Sequence, residues 1–406
     1  MAFRVAYFVS HPIQYQAPLL RYLSHAGGID LQVFFLSDFS LHDHFERAFN
    51  ETFKWDIGLT EGYQWEVLPN ILSNHSNARA WWPLAGVRRR LCAERVDAVW
   101  VHGWGNLGLC QVINEAAALG LPVLLRGESS PSVYPERALR KHLRAAFYLR
   151  WLFSRVTAFL TIGSRNREFY RQYGVAENRL FSVPYAVDNA FFQIRCAEAA
   201  SERERFRRSL GLQTERPVIL FAGKFTKAKA PEELLRAFEV IYERFTADST
   251  PYLLYAGDGP LRRTLEKDAT CFGDAVRFLG FRNQTELPAL YALCDIFVLP
   301  SRFEPWGLVL NEAMNAGRPV IVSDRVGAAS DLVVNGQNGF IYPSGDATTL
   351  AARLLQILKS RNLQAQMGES SLKRIRRWDF AADRRGLLNA LSAVCHQTSN
   401  IHEAAG

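Results

Sequence analysis

Short apolar stretches alternate with helical patterns along the whole chain. Within each stretch the apolar residues are consecutive, which favours parallel strands covered by helices on both faces. The predicted strands span residues 3–10, 30–37, 97–103, 121–128, 157–163 and 180–187 in the first half, and 216–224, 251–259, 275–281, 295–301, 318–324 and 338–344 in the second. Helical segments such as PEELLRAFEVIYERF (231–245) separate them. Each half therefore predicts its own βαβ array.

This alternation predicts an α/β protein with two Rossmann-like, doubly wound domains that face each other across a cleft. The charged strip between Asp188 and Arg216 is interpreted as the passage between them. We expect an N-terminal domain over residues 1–188, a C-terminal domain over 189–372, and a helical segment over 373–406 that packs back on the N-terminal domain. Ligands of doubly wound sheets bind at the carboxyl ends of the strands, so the cleft is the expected site.

Composition narrows the class of protein. The chain has 406 residues, of which 48% are apolar and 22% charged, enough for two cores and unlike a disordered or coiled-coil chain. Six scattered cysteines without a C-x-x-C pair indicate free thiols in a reducing compartment. No run of about 18 uncharged apolar residues is present. We expect a cytoplasmic protein that sits at most on the inner face of the cell membrane.

The net charge of +8 is concentrated in one region. Residues 137–179 hold ten basic and two acidic residues. On a helix over 137–156, one arc of about 100° combines basic and aromatic side chains: Arg137, Arg140, Lys141, Arg144, Tyr148, Trp151 and Arg155. Such a face fits an anionic membrane surface. The alternative is a solvated helix that covers the first sheet.

The most informative stretch is SRFEPWGLVLNEAMNAGRPVIVSD, residues 301–324. It joins the end of a strand, a turn with Pro305 and Gly307, a helix, and another strand. A helix N-terminus at the carboxyl edge of a sheet presents free amides and is suited to a diphosphate. Glu304 and Glu312 flank this point, and their carboxylates can accept hydrogen bonds from sugar or ribose hydroxyls. Taken singly, each glutamate also fits a surface or helix-capping role.

The same stretch resembles the E-x7-E region of retaining GT-B glycosyltransferases of family 4, here written EPWGLVLNEAMNAGRPV. LFAGKFTKAKAPEELLRAF (220–238) is similar to the family's GR-x4-K segment, with Lys224 in place of the usual arginine and Lys229 at the usual lysine. YAGDGPLRRTL and VNGQNGFIYPSGD match further landmarks. The resemblance is strong from about Val218 to Asp346 and only architectural before that.

The resemblance implies a nucleotide-diphosphate sugar as donor, most simply a UDP- or GDP-sugar, with no required cofactor or metal. Lys224, Lys229 and Glu304 become the catalytic candidates: the lysines hold the diphosphate as the glycosyl bond breaks, and Glu304 binds donor-sugar hydroxyls. The amides of residues 307–309 hold phosphate, Glu312 the ribose, and the backbone at 280–282 the base. The full set of implied donor-binding residues is Gly223, Gly280, Phe281, Arg282, Pro305, Trp306, Gly307, Leu308, Val309 and Glu312.

The first half contains a second candidate turn. His102-Gly103-Trp104-Gly105-Asn106-Leu107-Gly108 follows a strand and has the G-x-G-x-x-G form of a dinucleotide site. It follows a later strand rather than the first, and His102 and Trp104 would crowd a pyrophosphate. Contact with the acceptor is therefore the favoured hypothesis. The alternatives are a nicotinamide or flavin site and a purely structural turn.

Two other strand ends supply acceptor candidates. Arg126 and Glu128 end the next strand, and Glu128 stands where the related enzymes often have a histidine, so it either orients an acceptor hydroxyl or pairs with Arg126. The first loop offers His11, Gln14 and Gln16 instead of the family's glycine-rich form, for acceptor or phosphate contact or as a plain turn. His42-Asp43-His44 lacks a third ligand, and no metal site is predicted.

The sequence thus predicts a hexosyltransferase-type glycosyltransferase. We expect it to move a sugar to a hydroxyl of a glycan or lipid-linked acceptor with retention, in bacterial surface polysaccharide or glycoconjugate synthesis. A nucleotide-sugar epimerase of the same fold and a non-catalytic nucleotide-sugar-binding module are the alternatives. Nucleic acid is not an expected partner, because no stacking motif accompanies the basic region.

Overall fold

The structure is a computed structural model that describes residues 2–46, 51–69, 83–131 and 139–404. For residue 44 and for residues 139–145 and 396–404 it describes the backbone only. The chain forms two compact units. Unit 1 contains Met1–His44, Ile57–Tyr185 and Asp379–Gly406, and unit 2 contains Phe45–Asp56 and Ala186–Trp378.

The strands of the described residues, in chain order, are β1 (Phe3–Val9), β2 (Ile29–Phe35), β3 (His44–Glu46), β4 (Glu51–Phe53), β5 (Gln64–Val67), β6 (Ala98–His102), β7 (Val123–Arg126), β8 (Ala158–Thr161), β9 (Leu180–Ser182), β10 (Val218–Ala222), β11 (Tyr252–Ala256), β12 (Val276–Gly280), β13 (Ile296–Leu299), β14 (Val320–Ser323) and β15 (Gly339–Tyr342).

The α-helices are α1 (Ala17–His25), α2 (Val87–Glu94), α3 (Leu107–Ala118), α4 (Leu139–Phe153), α5 (Ser164–Gln172), α6 (Asn189–Ser201), α7 (Arg203–Ser209), α8 (Pro231–Tyr242), α9 (Arg262–Asp268), α10 (Leu287–Leu293), α11 (Leu308–Asn315), α12 (Ala329–Leu332), α13 (Ala347–Leu358), α14 (Arg361–Ile375) and α15 (Phe380–Ala404).

The sheet of unit 1 has the order β5-β2-β1-β6-β7-β8-β9, and its strand pairs are parallel. Strands β1, β6 and β7 are almost wholly buried because helices cover both faces. The strand order reverses between β1 and β6, which is where ligands bind in open α/β sheets. The loops that follow β1 and β6 therefore mark the ligand edge of this unit.

The sheet of unit 2 repeats this design with the order β12-β11-β10-β13-β14-β15, again parallel. Its reversal lies between β10 and β13. A buried core of aromatic and branched side chains fills the space between the sheet and α8, α9, α13 and α14. The predicted α/β fold class with two Rossmann-like domains is confirmed, and each of the twelve predicted strands overlaps a strand of the structure.

Three strands were not predicted. β5 carries alternating polar residues because it is an edge strand paired only with β2. β3 and β4 form a separate two-stranded sheet. The strip interpreted as the passage between domains contains helices α6 and α7, both in unit 2. Of the segment 373–406, residues up to Trp378 group with unit 2, and α15 groups with unit 1.

Candidate functional site

Two loops at the carboxyl edge of the second sheet bring the predicted catalytic residues together. Lys224 and Lys229 follow β10, and Glu304 follows β13, the neighbouring strand across the reversal point. The amides of Arg302 and Phe303 donate hydrogen bonds to the Ala228 carbonyl at 2.8 and 3.1 Å. These bonds hold the two loops side by side.

Lys229 and Glu304 form a direct ion pair. The side chain of Glu304 is only 8% exposed and that of Lys229 is 25% exposed, so the pair is largely shielded from water. Charge-assisted hydrogen bonds in such surroundings are stronger than neutral ones. The structure thus places one cation and one carboxylate of the predicted site in contact.

Lys224 lies beside a carboxylate that sequence reasoning did not single out. Its Nζ atom is 3.8 Å from the Glu46 carboxylate, which follows β2 in the chain but belongs to unit 2. Burial lowers the pKa of the Lys224 ammonium, and the neighbouring Lys229 acts in the same direction, while Glu46 and Glu304 act against this shift. Two ammonium groups therefore converge here, each with an acidic partner.

Backbone geometry requires glycine at two positions of this edge. Gly257, after β11, has φ +140°, and a Cβ atom there would lie 1.9 Å from the Gly223 carbonyl oxygen. Gly307 has φ +99° and immediately precedes α11. These glycines let the loops after β10, β11 and β13 approach one another closely.

Helix α11 begins at Leu308 and has no side-chain cap at Gly307. The turn before the helix begins at Pro305. The amides of the first helical residues, Leu308 and Val309, have no acceptors within the helix, and the helix dipole adds positive potential at this end. Glu304 lies just before this terminus in the chain, and Lys229 forms an ion pair with it. A helix N-terminus beside lysines is a suitable site for a phosphate group.

Glu312 has a different environment from Glu304. It is 0% exposed and accepts hydrogen bonds from the Tyr291 hydroxyl at 2.7 Å and from Gln284 Nε2 at 3.4 Å. A ribose hydroxyl would have to donate to the same carboxylate, either beside Gln284 or in its place. Its role in ribose binding stays a prediction.

Trp306 is also buried, and its environment is structural. Its Nε1 donates to Asn311 Oδ1 at 3.0 Å, and its ring lies 5.0 Å from the ring of Trp378. The side chain therefore anchors the turn before α11 to the end of unit 2 at Trp378. Any contact with the donor would come from the backbone of this residue.

The predicted base-binding turn follows β12. Gly280 has φ +74°, and its carbonyl accepts from the Gly257 amide at 2.7 Å. Arg282 is engaged within its own turn, with Glu286 at 2.9 Å and the Leu279 carbonyl at 2.9 Å. Phe281 stacks on Phe53, a residue that the sequence did not indicate.

In unit 1, side chains from β1, from the end of β6 and from the N-cap of α1 meet at the ligand edge of the sheet. The Tyr7 hydroxyl and Gln16 Nε2 lie 3.1 and 3.0 Å from His102 Nδ1, and Tyr7 donates to Gln16 Oε1. Burial lowers the pKa of His102, which keeps the imidazole neutral near pH 7. The predicted acceptor candidates Gln16 and His102 are therefore in contact.

Glu128 adjoins this group and is itself exposed. It lies 3.8 Å from His102 Nε2 and accepts a hydrogen bond from the Tyr185 hydroxyl. Desolvation favours a raised pKa for Glu128, but His102 and Tyr185 outweigh it and hold the pKa below its ordinary value. An ionised, accessible carboxylate results. It is able to accept a hydrogen bond from a hydroxyl group.

Arg126 pairs with a buried carboxylate of unit 1. Its guanidinium is 2% exposed and pairs at 2.8 Å with Asp383 of α15, and it also lies 4.9 Å from the ring of Tyr185. Arg126 therefore has a buried acidic partner other than Glu128. Asp383 and Tyr185 are members of this cluster that the sequence did not indicate.

The remaining acceptor candidates have mixed environments. His11 Nδ1 is 2.8 Å from Ser10 Oγ, and its ring lies 4.4 Å from Phe39. Gln14 is half-buried. Trp104 packs against the aromatic core of unit 1, 5.5 Å from Phe153. The G-x-G-x-x-G turn follows β6 and not β1, in agreement with the prediction from its place in the sequence.

The basic helix is described only in part. Arg137 lies outside the described residues, and for Arg140, Lys141 and Arg144 only the backbone of α4 is described. Tyr148 and Trp151 are each 41% exposed, and Phe147 is 77% exposed. The Arg155 guanidinium lies 3.8 Å from the Trp151 ring.

Other arginines of the basic region have structural partners. Arg179 donates to the carbonyls of Phe153, Val156 and Thr157, and burial lowers its pKa. Arg167 pairs with Glu177. The formal charge of this region therefore overstates the cations available to an anionic ligand.

Among the described residues, no three or more His, Cys, Asp or Glu side chains are grouped as a metal would require. His42 lies 3.5 Å from Asp38. No helix in the described part of the chain combines the length and apolar character needed to span a bilayer.

Comparison with known proteins relates both halves of the chain to glycosyltransferases. The family model "Glycosyl transferases group 1" matches residues 202–374, and the model "Glycosyl transferase 4-like domain" matches residues 26–186. Anabaena HepE in complex with UDP has the same fold, with a TM-score of 0.72 and 19% identity over 97% of this chain and all of that one. Two regions of the chain are therefore similar to glycosyltransferase domains, and the chain has the GT-B fold of two Rossmann-like domains, which confirms the fold that the resemblance implies.

Two curated relatives add detail. An uncharacterized glycosyltransferase of Methanocaldococcus jannaschii is 42% identical over 147 residues, which are 35% of this chain and 36% of the relative. The alpha-D-kanosaminyltransferase of Streptomyces kanamyceticus is 27% identical over 255 residues, 62% of this chain and 61% of the relative. The chain thus spans about a third to three fifths of the length of these relatives.

Proposed function

We propose that the protein transfers a sugar from a nucleotide-diphosphate sugar to a hydroxyl group of a glycan or lipid-linked acceptor. The observation that carries this proposal is the contact between Lys229 and Glu304 directly before the N-terminus of α11. Lysine ammonium groups and helix amides are suited to a diphosphate, and a carboxylate is suited to sugar hydroxyls. A UDP-sugar is the first donor to test, because HepE has been solved with UDP.

In this mechanism the bond between the anomeric carbon and the diphosphate oxygen breaks while the acceptor oxygen bonds to the same face of that carbon. Configuration is retained because the new bond forms on the face from which the diphosphate leaves, and the acceptor proton passes to the leaving diphosphate oxygen. Negative charge grows on the diphosphate during bond breaking, and Lys224 and Lys229 stabilise it there. In the free protein these ammonium groups have Glu46 and Glu304 as partners.

Unit 1 supplies the proposed acceptor contacts. Glu128 is accessible and ionised, and His102 and Tyr185 fix its position. Such a carboxylate orients a hydroxyl by accepting its hydrogen bond. His11, Gln14, Gln16, Trp104 and Arg126 are the other acceptor-side candidates at or near this sheet edge.

The exposed aromatic residues of α4 support peripheral membrane binding at the cytoplasmic face of a bacterial membrane. Amphipathic aromatic rings beside arginines bind the headgroup region. Flotation with phosphatidylcholine vesicles containing or lacking phosphatidylglycerol tests this idea. The Tyr148→Ala/Trp151→Ala protein should float less, whereas Tyr242→Ala, an exposed aromatic on α8, should not change flotation. Equal flotation of all proteins would contradict it.

The activity is tested in two steps. Thermal shift with UDP-, GDP-, ADP- and dTDP-sugars identifies the donor, because a ligand stabilises the state that binds it. NMR of the anomeric signal then follows the donor with and without a panel of glycosides and lipid-linked glycans. A new α- or β-linkage matching the donor configuration supports retaining transfer. Isomerised donor sugar without acceptor would indicate an epimerase, and binding without any product would indicate a nucleotide-sugar-binding module.

A further inference from the structure

A short segment from the first half of the chain contacts both parts of the proposed nucleotide site. Residues 45–56 precede β5 in the sequence but group with unit 2. Phe53 meets the proposed base-binding turn, and Glu46 meets the proposed diphosphate lysine. Neither residue lies in a stretch where the family resemblance is strong.

The contact at the base-binding turn is aromatic. The rings of Phe53 and Phe281 are stacked, with centroids 4.2 Å apart and planes inclined by 26°. Trp55 meets Phe53 edge-on at 5.0 Å. Both phenylalanines are half-buried, so part of each ring is accessible. A base does not fit between rings 4.2 Å apart, so it would contact the outer face or edge of this pair.

Hydrogen bonds fix the backbone around these rings. Asn283 Nδ2 donates to the Lys54 carbonyl at 2.7 Å. The Thr285 amide and hydroxyl both donate to the Asp56 carboxylate, the amide at 3.2 Å. Because Asn283 and Thr285 follow Phe281 closely in the chain, these hydrogen bonds hold residues 53–56 against the base-binding turn. Phe53 is therefore held beside the proposed base-binding turn, where its ring can contact a nucleotide base.

The contact at the lysine is ionic. The Glu46 carboxylate lies 3.8 Å from Lys224 Nζ, and its side chain is 29% exposed. A bound diphosphate carries at least two negative charges. If it bound Lys224, it would lie close to the Glu46 carboxylate, and the two negatively charged groups would repel each other. Glu46 and a diphosphate therefore compete for the same ammonium group. Since the pair is long and partly hydrated, it is weak enough to exchange.

We propose that Phe53 and Glu46 complete the nucleotide site: Phe53 contacts the base of a nucleoside diphosphate, and Glu46 is the counter-ion of Lys224 that the diphosphate replaces. This inference rests on the proposed function of the same site. It assigns to the first half of the chain a part in donor recognition, and it makes two variants change affinity in opposite directions.

Isothermal titration with UDP and with inorganic pyrophosphate separates the two roles. Phe53→Ala should weaken UDP binding by about 5-fold or more, as loss of one base stack does, and leave pyrophosphate binding unchanged. Glu46→Gln should tighten binding of both ligands by about 2- to 5-fold, because a competing charge is removed.

The chain offers a matched control for each variant. Phe45→Ala removes a 58% exposed ring from the same segment, and Glu51→Gln neutralises an exposed carboxylate in β4. Both should bind UDP and pyrophosphate as the unmodified protein does. Circular dichroism of all four variants checks that the fold is intact.

The outcomes distinguish the inference from the proposed function. If the unmodified protein binds none of UDP, GDP, ADP and dTDP, the proposed function fails. If it binds UDP but Phe53→Ala binds equally well, or loses pyrophosphate as strongly as UDP, the base contact is wrong. Unchanged or weaker UDP binding by Glu46→Gln overturns the counter-ion role.

Discussion

Replacement of Lys229 by methionine separates the structural and catalytic parts of the Lys229–Glu304 pair. Methionine retains much of the side-chain volume and removes the charge. The Glu304 carboxylate, 8% exposed, then loses its ion-pair partner Lys229. Removing one partner of a fully buried ion pair costs about 3–5 kcal/mol. The 25% exposure of Lys229 lets water screen part of that loss, so we expect about 2 kcal/mol.

A loss of this size lowers the midpoint of thermal unfolding by about 4–8 °C for a unit of about 205 residues. The Lys229→Met/Glu304→Gln protein should recover most of it, because neither charge remains buried without a partner. Lys224→Met is the matched control, since its pair with Glu46 is longer and more exposed. Its cost should stay below about 1 kcal/mol.

Scanning calorimetry gives the stabilities, and titration with UDP gives the site's function. Both Lys229 proteins should bind UDP at least about 10-fold more weakly, whether or not stability is restored. The single variant Glu304→Gln completes the comparison. If the double variant loses as much stability as Lys229→Met and Glu304→Gln together, the two residues are not coupled and the pairing is wrong. Undiminished UDP affinity in the stable double variant would refute the diphosphate role.

Three further predictions test other parts of the structure. Gly257→Ala should unfold at a lower temperature and lose UDP binding, because its Cβ would lie 1.9 Å from the Gly223 carbonyl oxygen; calorimetry and titration measure both. Tyr291→Phe should cost about 1–3 kcal/mol in urea unfolding, since buried Glu312 loses a hydrogen bond. Because burial lowers the pKa of His102, the unfolded chain binds more protons below about pH 6.5, so stability falls on acidification. His102→Gln should flatten this decline between pH 7 and 5 in thermal melts, and an unchanged slope would contradict the assignment.

Local sequence was sufficient for the features that lie within one stretch of chain. Consecutive apolar residues predicted every strand of the second sheet and every strand of the first except β5. The stretch around Glu304 and Gly307 predicted a turn followed by a helix, which the structure confirms as α11. The register between strands then brings Lys229 to Glu304, 75 residues away. That contact is expected from the sheet order, since loops after β10 and β13 are neighbours.

Partners that come from distant segments were not predictable in this way. Asp383 reaches Arg126 only because α15 groups with unit 1, and no local pattern marks an aspartate near the end of a chain as buried. Glu46 and Phe53 lie in a region without a long apolar run, so nothing in their neighbours indicates unit 2. Tyr291 was a plausible core residue of α10, and its hydroxyl contact with Glu312 depends on packing.

In the proposed function, unit 2 holds a nucleotide diphosphate at the carboxyl edge of its sheet. A crystal structure of the protein with UDP tests this proposal. We predict the diphosphate within hydrogen-bond distance of Lys224, Lys229 and the first amides of α11, and the base beside Phe281 and Phe53. A nucleotide bound at the Gly103–Gly108 turn of unit 1, with the lysines still paired to Glu46 and Glu304, would contradict it.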